Sequence, residues 1–183
     1  MQQSISRIAR CSVALRGLTV LAMAVTLLSI LYTSFVIGFG TANQMLPDDL
    51  ASLIQPAGKA LGRGHIALVA LAGVPATLAM LWTLWQAQAL FAAYATGAIL
   101  TERTSRLILR IGSGLMLIAA LGPTLGALQS VVVSAANPAG QRTLAIGISN
   151  ADLWLLLAGG LMTVIGWIML EATAIAEDNK GFV

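Results

Sequence analysis

The chain has 183 residues, of which 58% are hydrophobic and 9% charged, against roughly 45–50% and about 25% in an average soluble domain. Aromatics make up only 5%, so the excess is aliphatic, and ten basic and seven acidic residues are too few to wet a soluble globule or to track a nucleic-acid backbone. The apolar surplus also excludes intrinsic disorder, and the single cysteine, Cys11, excludes an internal disulfide, a CxxC redox pair and a thiolate zinc cage.

An all-α integral membrane protein of one domain, residues 1–183, is therefore expected, because about 20 apolar residues span a bilayer core. The first span runs over 17–39, free of charge and preceded by Arg7, Arg10 and Arg16. It exceeds the roughly 7–15 apolar residues of a signal peptide, so it reads as a retained helix. Ala22, Thr26, Ser34 and Gly38 recur at multiples of four and predict a packing face. In the loop that follows, Pro47-Asp48-Asp49 opens a short surface helix through Ile54.

The second span runs over 65–85, with a kink predicted at Pro75. Trp82 and Trp85 mark the headgroup layer. Gln86, Gln88, Phe91 and Tyr94 extend the helix into water, and Gly97 stops it. After the polar turn Thr101–Ser105 the third span covers 106–130, with Arg106 and Arg110 on its first turns and a second kink at Pro123. Gly114, Gly122, Gly126 and Ser130 form a small-residue stripe, a candidate helix-packing face within the monomer or in a homo-oligomer.

Beyond it, 131–134 and 143–148 flank Asn137-Pro138-Ala139-Gly140, which reads as a small β-hairpin in the second outer loop. The fourth span covers 153–170. Ser149 and Asp152 stand three apart before it, a carboxylate variant of the capping box, and the helix is expected to continue through Ala176.

Charge placement sets the expected orientation. Seven of the ten basic residues fall in the N-terminus, the loop between spans two and three, and the C-terminus. Lysine and arginine favour cytoplasmic segments, so both termini are expected inside.

The sequence shows few chemical handles. No ionisable residue falls at mid-span, where transport and proton-relay groups reside. Arg106, Arg110 and Glu171 lie at one interface and form a candidate cytoplasmic interaction or ion-pair cluster. Either the arginines reach toward headgroups while Glu171 pairs with one of them, or the three form a gated ion pair or a substrate-binding cluster. His65, with Asp48 and Asp49 as its nearest helpers, falls short of a metal site. No catalytic residue, metal or cofactor is expected, since no nucleophile, zinc or phosphate motif is present. The tail Glu177–Val183 reads as a partner-docking segment or as a solvated end folded back on the helices.

Gly97-Ala98-Ile99-Leu100-Thr101 with Arg106-Leu107 and Arg110-Ile111-Gly112 resembles a family of bacterial four-span membrane proteins catalogued as a domain of unknown function. Trp167-Ile168-Met169-Leu170-Glu171-Ala172, with 175–179 and Phe182-Val183, resembles that family more specifically. The similarity covers nearly the whole chain, the outer loops matching only in length and type. Thr104 stands where the family often has asparagine. The resemblance implies a multi-pass protein of the bacterial inner membrane with no established catalytic residues, and relatives encoded beside a small helix-turn-helix regulator.

The expected role is a non-enzymatic regulatory or accessory component, with the lipid bilayer and a cytoplasmic or membrane protein as partners and no nucleic acid. A small oligomeric transporter or channel subunit, hinged at Pro75 and Pro123, is the alternative.

Overall fold

The computed structural model describes residues 2–39, 50, 52–54, 62–138 and 140–180. They form four α-helices: α1 (Gln2–Phe39), α2 (Arg63–Ala95), α3 (Glu102–Ser134) and α4 (Asn150–Lys180). Each contains a stretch long and apolar enough to cross a membrane, so the chain is built as a multi-pass membrane protein. The helices outrun their apolar spans. At about 1.5 Å per residue, the 33 residues of α2 and of α3 measure about 50 Å against a core of about 30 Å.

Packing follows chain order: α1 lies on α2, α2 on α3 and α3 on α4. The helices thus stand in a row, and α1 and α4 present broad apolar flanks, including Leu28, Tyr32, Trp154 and Leu157. Helices α2 and α3 run antiparallel. Ile66 and Val69 pack on Val133 at one end, and Leu90 packs on Leu107, Ile108 and Ile111 at the other.

Glycines set the distance between α3 and α4. A Cβ on Gly112 would stand 2.6 Å from the Thr163 nitrogen and 2.7 Å from the Gly159 carbonyl oxygen. One on Gly166 would stand 2.8 Å from the Leu109 nitrogen. Without a hydrophobic driving force between helices in lipid, such close backbone approach supplies the attraction.

The stripe at Gly114, Gly122, Gly126 and Ser130 is not a single packing face. Gly114 meets Thr83 and Trp82 of α2, whereas Gly122 meets Asp152 of α4 and Gly126 has nothing within 4 Å of its Cβ direction. The reason is geometric: at 3.6 residues per turn, each step of four advances about 40° around the axis. Four such steps carry the stripe about 160° from α2 toward the opposite side.

The same drift separates the predicted face of α1. Ala22 and Thr26 are half-buried but Ser34 is exposed, while Ser12 and Thr19 are buried. The seams follow seven-residue steps, which drift only about 20°. Ser12, Thr19 and Thr26 on α1 and Gly159 and Gly166 on α4 are spaced this way.

Both prolines lie inside continuous helices. Beside them the Thr77 hydroxyl donates to the Gly73 carbonyl at 3.0 Å and the Thr124 hydroxyl to the Leu121 carbonyl at 2.9 Å. Across the helix pair, Gln129 Nε2 donates to the Val69 carbonyl at 3.1 Å.

The predicted hairpin is replaced by other structure, and the described residues contain no strand. Residues 131–134 are the last turn of α3, held there because Val133 and Ser134 are buried. The turn that follows is present: Gln141 N donates to the Pro138 carbonyl at 3.1 Å, and Gly140 takes the positive φ of 92° that a side chain disfavours. The segment after it lies extended along α3 and uses serine hydroxyls in place of a second strand. Ala145 N donates to Ser130 Oγ at 3.0 Å, and Ser134 Oγ donates to the Thr143 carbonyl at 2.9 Å.

Of the predicted surface helix, Leu50, Ser52, Leu53 and Ile54 are described, and Leu53 N donates to the Leu50 carbonyl at 3.2 Å. Asp48 and Asp49 lie outside the described residues. This turn docks on the second loop through Asn137, whose Nδ2 donates to the Leu53 carbonyl at 2.8 Å.

The fourth helix begins on the expected box. Ser149 N donates to Asp152 Oδ2 at 2.8 Å and Asp152 N to Ser149 Oγ at 3.2 Å. Gly122 makes room for that carboxylate, since a Cβ there would stand 2.7 Å from Asp152 Oδ1.

Candidate functional site

The polar residues gather where α2 passes into α3. Helix α2 ends in a Schellman motif: Gly97 N donates to the Tyr94 carbonyl at 3.1 Å and Ala98 N to the Ala93 carbonyl at 3.1 Å. Gly97 supplies the positive φ of 82° that this ending requires.

Four residues later α3 starts on a second capping box, made by two threonines. Thr104 N donates to Thr101 Oγ1 at 3.3 Å, and Thr101 N donates to Thr104 Oγ1 at 3.1 Å. The Thr104 hydroxyl is within 2.8 Å of the Thr101 carbonyl and 3.0 Å of the Ile99 carbonyl. Thr104 and Ser105 are completely buried, so this turn is a packed joint.

Thr104→Ala removes the hydroxyl that accepts from Thr101 N and is expected to destabilise the helix start by about 0.5–1.5 kcal/mol, while Thr104→Ser retains most of that bond. Amide exchange across 101–105 checks it: no acceleration in the alanine variant would remove the joint from the account.

The joint aims a basic stripe. Arg103, Arg106 and Arg110 follow one another by three and four residues, which keeps them within about 60° of the helix circumference. They line a cavity of about 450 Å3 with Trp85, Gln86, Ala89, Glu102 and Leu107. Arg106 is paired with Glu102 one turn earlier. Both side chains are more than half exposed, so the pair is worth only about 0.3–0.5 kcal/mol and serves orientation more than stability. It is the one ion pair among the described residues. Arg103 and Arg110 therefore keep uncompensated charge, and the lining carries two net positive charges.

The predicted cluster of Arg106, Arg110 and Glu171 divides. The two arginines share the cavity, and Glu171 is exposed on α4 outside its lining. Because Gly166 packs against Leu109, the antiparallel register brings Glu171 level with Thr104, at the same end of the molecule, where it makes no ion pair with Arg106 or Arg110. Arg106 found its carboxylate in Glu102, whose spacing of four residues on the N-terminal side is the favourable helical arrangement. That spacing was legible in the sequence, whereas Gln86, which reads as part of an extension of α2 into water, is buried in the structure.

His65 is half-buried on the first turn of α2, its N–H bonded to the Gly62 carbonyl at 3.0 Å. Among the described residues no three His, Cys, Asp or Glu side chains converge in a way that could hold a metal ion. Cys11 is exposed on α1.

Chemically, the arrangement offers guanidinium donors beside a buried amide and an indole, at the end of the apolar spans. It can hold an anion by charge and hydrogen bonds. Comparison of the chain with family models, curated proteins and solved structures found no match.

Proposed function

We propose that the chain is a bacterial inner-membrane protein, with both termini and the α2–α3 turn on the cytoplasmic side. In this reading it acts as a non-enzymatic regulatory or accessory component through contact with a partner protein. The supporting observation is that the helices continue past their apolar spans at the α2–α3 end. Gln86–Ala95 of α2, Glu102–Arg110 of α3 and the stretch of α4 beyond Leu170 are all helical. Their packed helical backbone carries the exposed Glu102, Arg103, Arg106 and Arg110 of α3 and Glu171 of α4, the kind of rigid element on which recognition is built. The surplus of basic residues at this end supports its cytoplasmic orientation. The resemblance of 97–112 and 167–183 to bacterial four-span proteins points the same way.

Photocrosslinking residues placed at Arg103 and at Glu177 in native membranes are expected to give a discrete protein adduct. The same group at Leu28, on the apolar flank of α1, is expected to give none. If neither cytoplasmic position yields an adduct, the proposal fails.

A further inference from the structure

We propose that the cavity between α2 and α3 is a binding site for the phosphate of an anionic phospholipid. Its wall carries Arg103, Arg106 and Arg110 against a single carboxylate, Glu102. Arg106 is engaged with Glu102, and the other two guanidinium groups have no ion pair among the described residues. The buried Gln86 side chain completes the polar wall. Basic pockets between transmembrane helices at the membrane surface recognise anionic headgroups, each arginine contributing through both charge and hydrogen bonds.

Position selects a lipid over a phosphate drawn from water. Trp85 is exposed on the cavity wall and Trp82 about one turn before it, and indoles at the end of a span settle at headgroup level. The cavity therefore opens at the depth where the bilayer presents its phosphates. Ala89 and Leu107 give it an apolar side, suited to the glycerol and first methylenes that follow a phosphate. At about 450 Å3 it has the size of a small-molecule site.

The full chain, purified in detergent and offered equal amounts of phosphatidylglycerol and phosphatidylcholine, can be weighed intact by native mass spectrometry. Wild type is expected to retain phosphatidylglycerol preferentially. The double variant Arg103→Gln/Arg110→Gln is expected to lose about fivefold in that preference for each arginine removed. Arg103→Lys/Arg110→Lys, which keeps the charge, is expected to keep most of it. Circular dichroism of each variant shows whether the helices are intact.

Equal retention of the two lipids by wild type would overturn the proposal, as would an unchanged preference in a folded glutamine variant. Loss of preference in a folded lysine variant would overturn the charge-based recognition. Displacement of the bound lipid by inorganic phosphate would assign the cavity to a soluble anion instead. These outcomes are read without any partner protein, so they stand apart from the crosslinking result.

Discussion

Gly112→Ala and Gly126→Ala are expected to change stability in opposite directions, although both replace a glycine in the same helix by the same residue. At Gly112 the added methyl would stand 2.5 Å from Thr163 Oγ1, 2.6 Å from the Thr163 nitrogen and 2.7 Å from the Gly159 carbonyl oxygen. The hydroxyl can rotate away, but the two backbone atoms cannot, so α3 and α4 must separate along their seam. Overpacking of this kind costs about 1–3 kcal/mol. At Gly126 nothing lies within 4 Å of the new methyl, and removing a helical glycine stabilises by roughly 0.5–1 kcal/mol. Denaturant unfolding in mixed micelles measures both. Equal effects of the two substitutions would mean that the α3–α4 seam does not hold the molecule together.

The second large effect is expected at Asn137, which joins two loop segments 84 residues apart in sequence. It is 4% exposed, and its Nδ2 donates to the Leu53 carbonyl at 2.8 Å. Around that bond Leu50, Leu53 and Ile54 pack onto Ile66, Val69 and Val133. Asn137→Ala leaves a carbonyl without its donor under that apolar cover, at a cost of about 1–3 kcal/mol. Asn137→Asp is expected to fail as well, because a carboxylate offers no N–H. Hydrogen exchange separates the local effect from a global one: protection is lost at 52–54 while the centres of α2 and α3 keep theirs. Unchanged protection at 52–54 in the alanine variant would show that apolar packing alone holds the loop.

Legibility in the sequence divides by the range of the interactions involved. The four spans were legible because bilayer solvation acts on composition over about 20 residues at a time, without reference to neighbours. Local hydrogen-bond chemistry was legible too. Ser149 and Asp152 cap α4 as their spacing says, and Gly97 ends α2 with the positive φ that glycine permits. The threonine box at Thr101 and Thr104 was harder to see, since the usual signature carries Glu or Gln at the second position.

Pairing between elements was not legible. Val131–Ser134 reads as a strand by β-branched content, yet burial of Val133 and Ser134 keeps it helical, because tertiary packing overrides a weak propensity. Arg106 could have paired with Glu171 or with Glu102, both available by charge. The helix rise put Glu102 one turn away, whereas Glu171 reached the same level on an outward surface.

By itself, then, the sequence determined that this chain fills a bilayer with four helices, how α2 stops at Gly97 and α4 starts at Ser149, and which end holds the basic residues. All of that follows from solvation and from bonds between near neighbours. Only the tertiary structure decided which small residues touch. Steps of four drift about 40° around a helix, so a stripe that looks continuous in sequence faces α2 at Gly114 and α4 at Gly122. The scarcity of charge belongs to the same division. Composition announces it, and helical spacing on α3 already gathers the three arginines into one stripe. Only the packing of α2 against α3 makes that stripe the wall of a cavity.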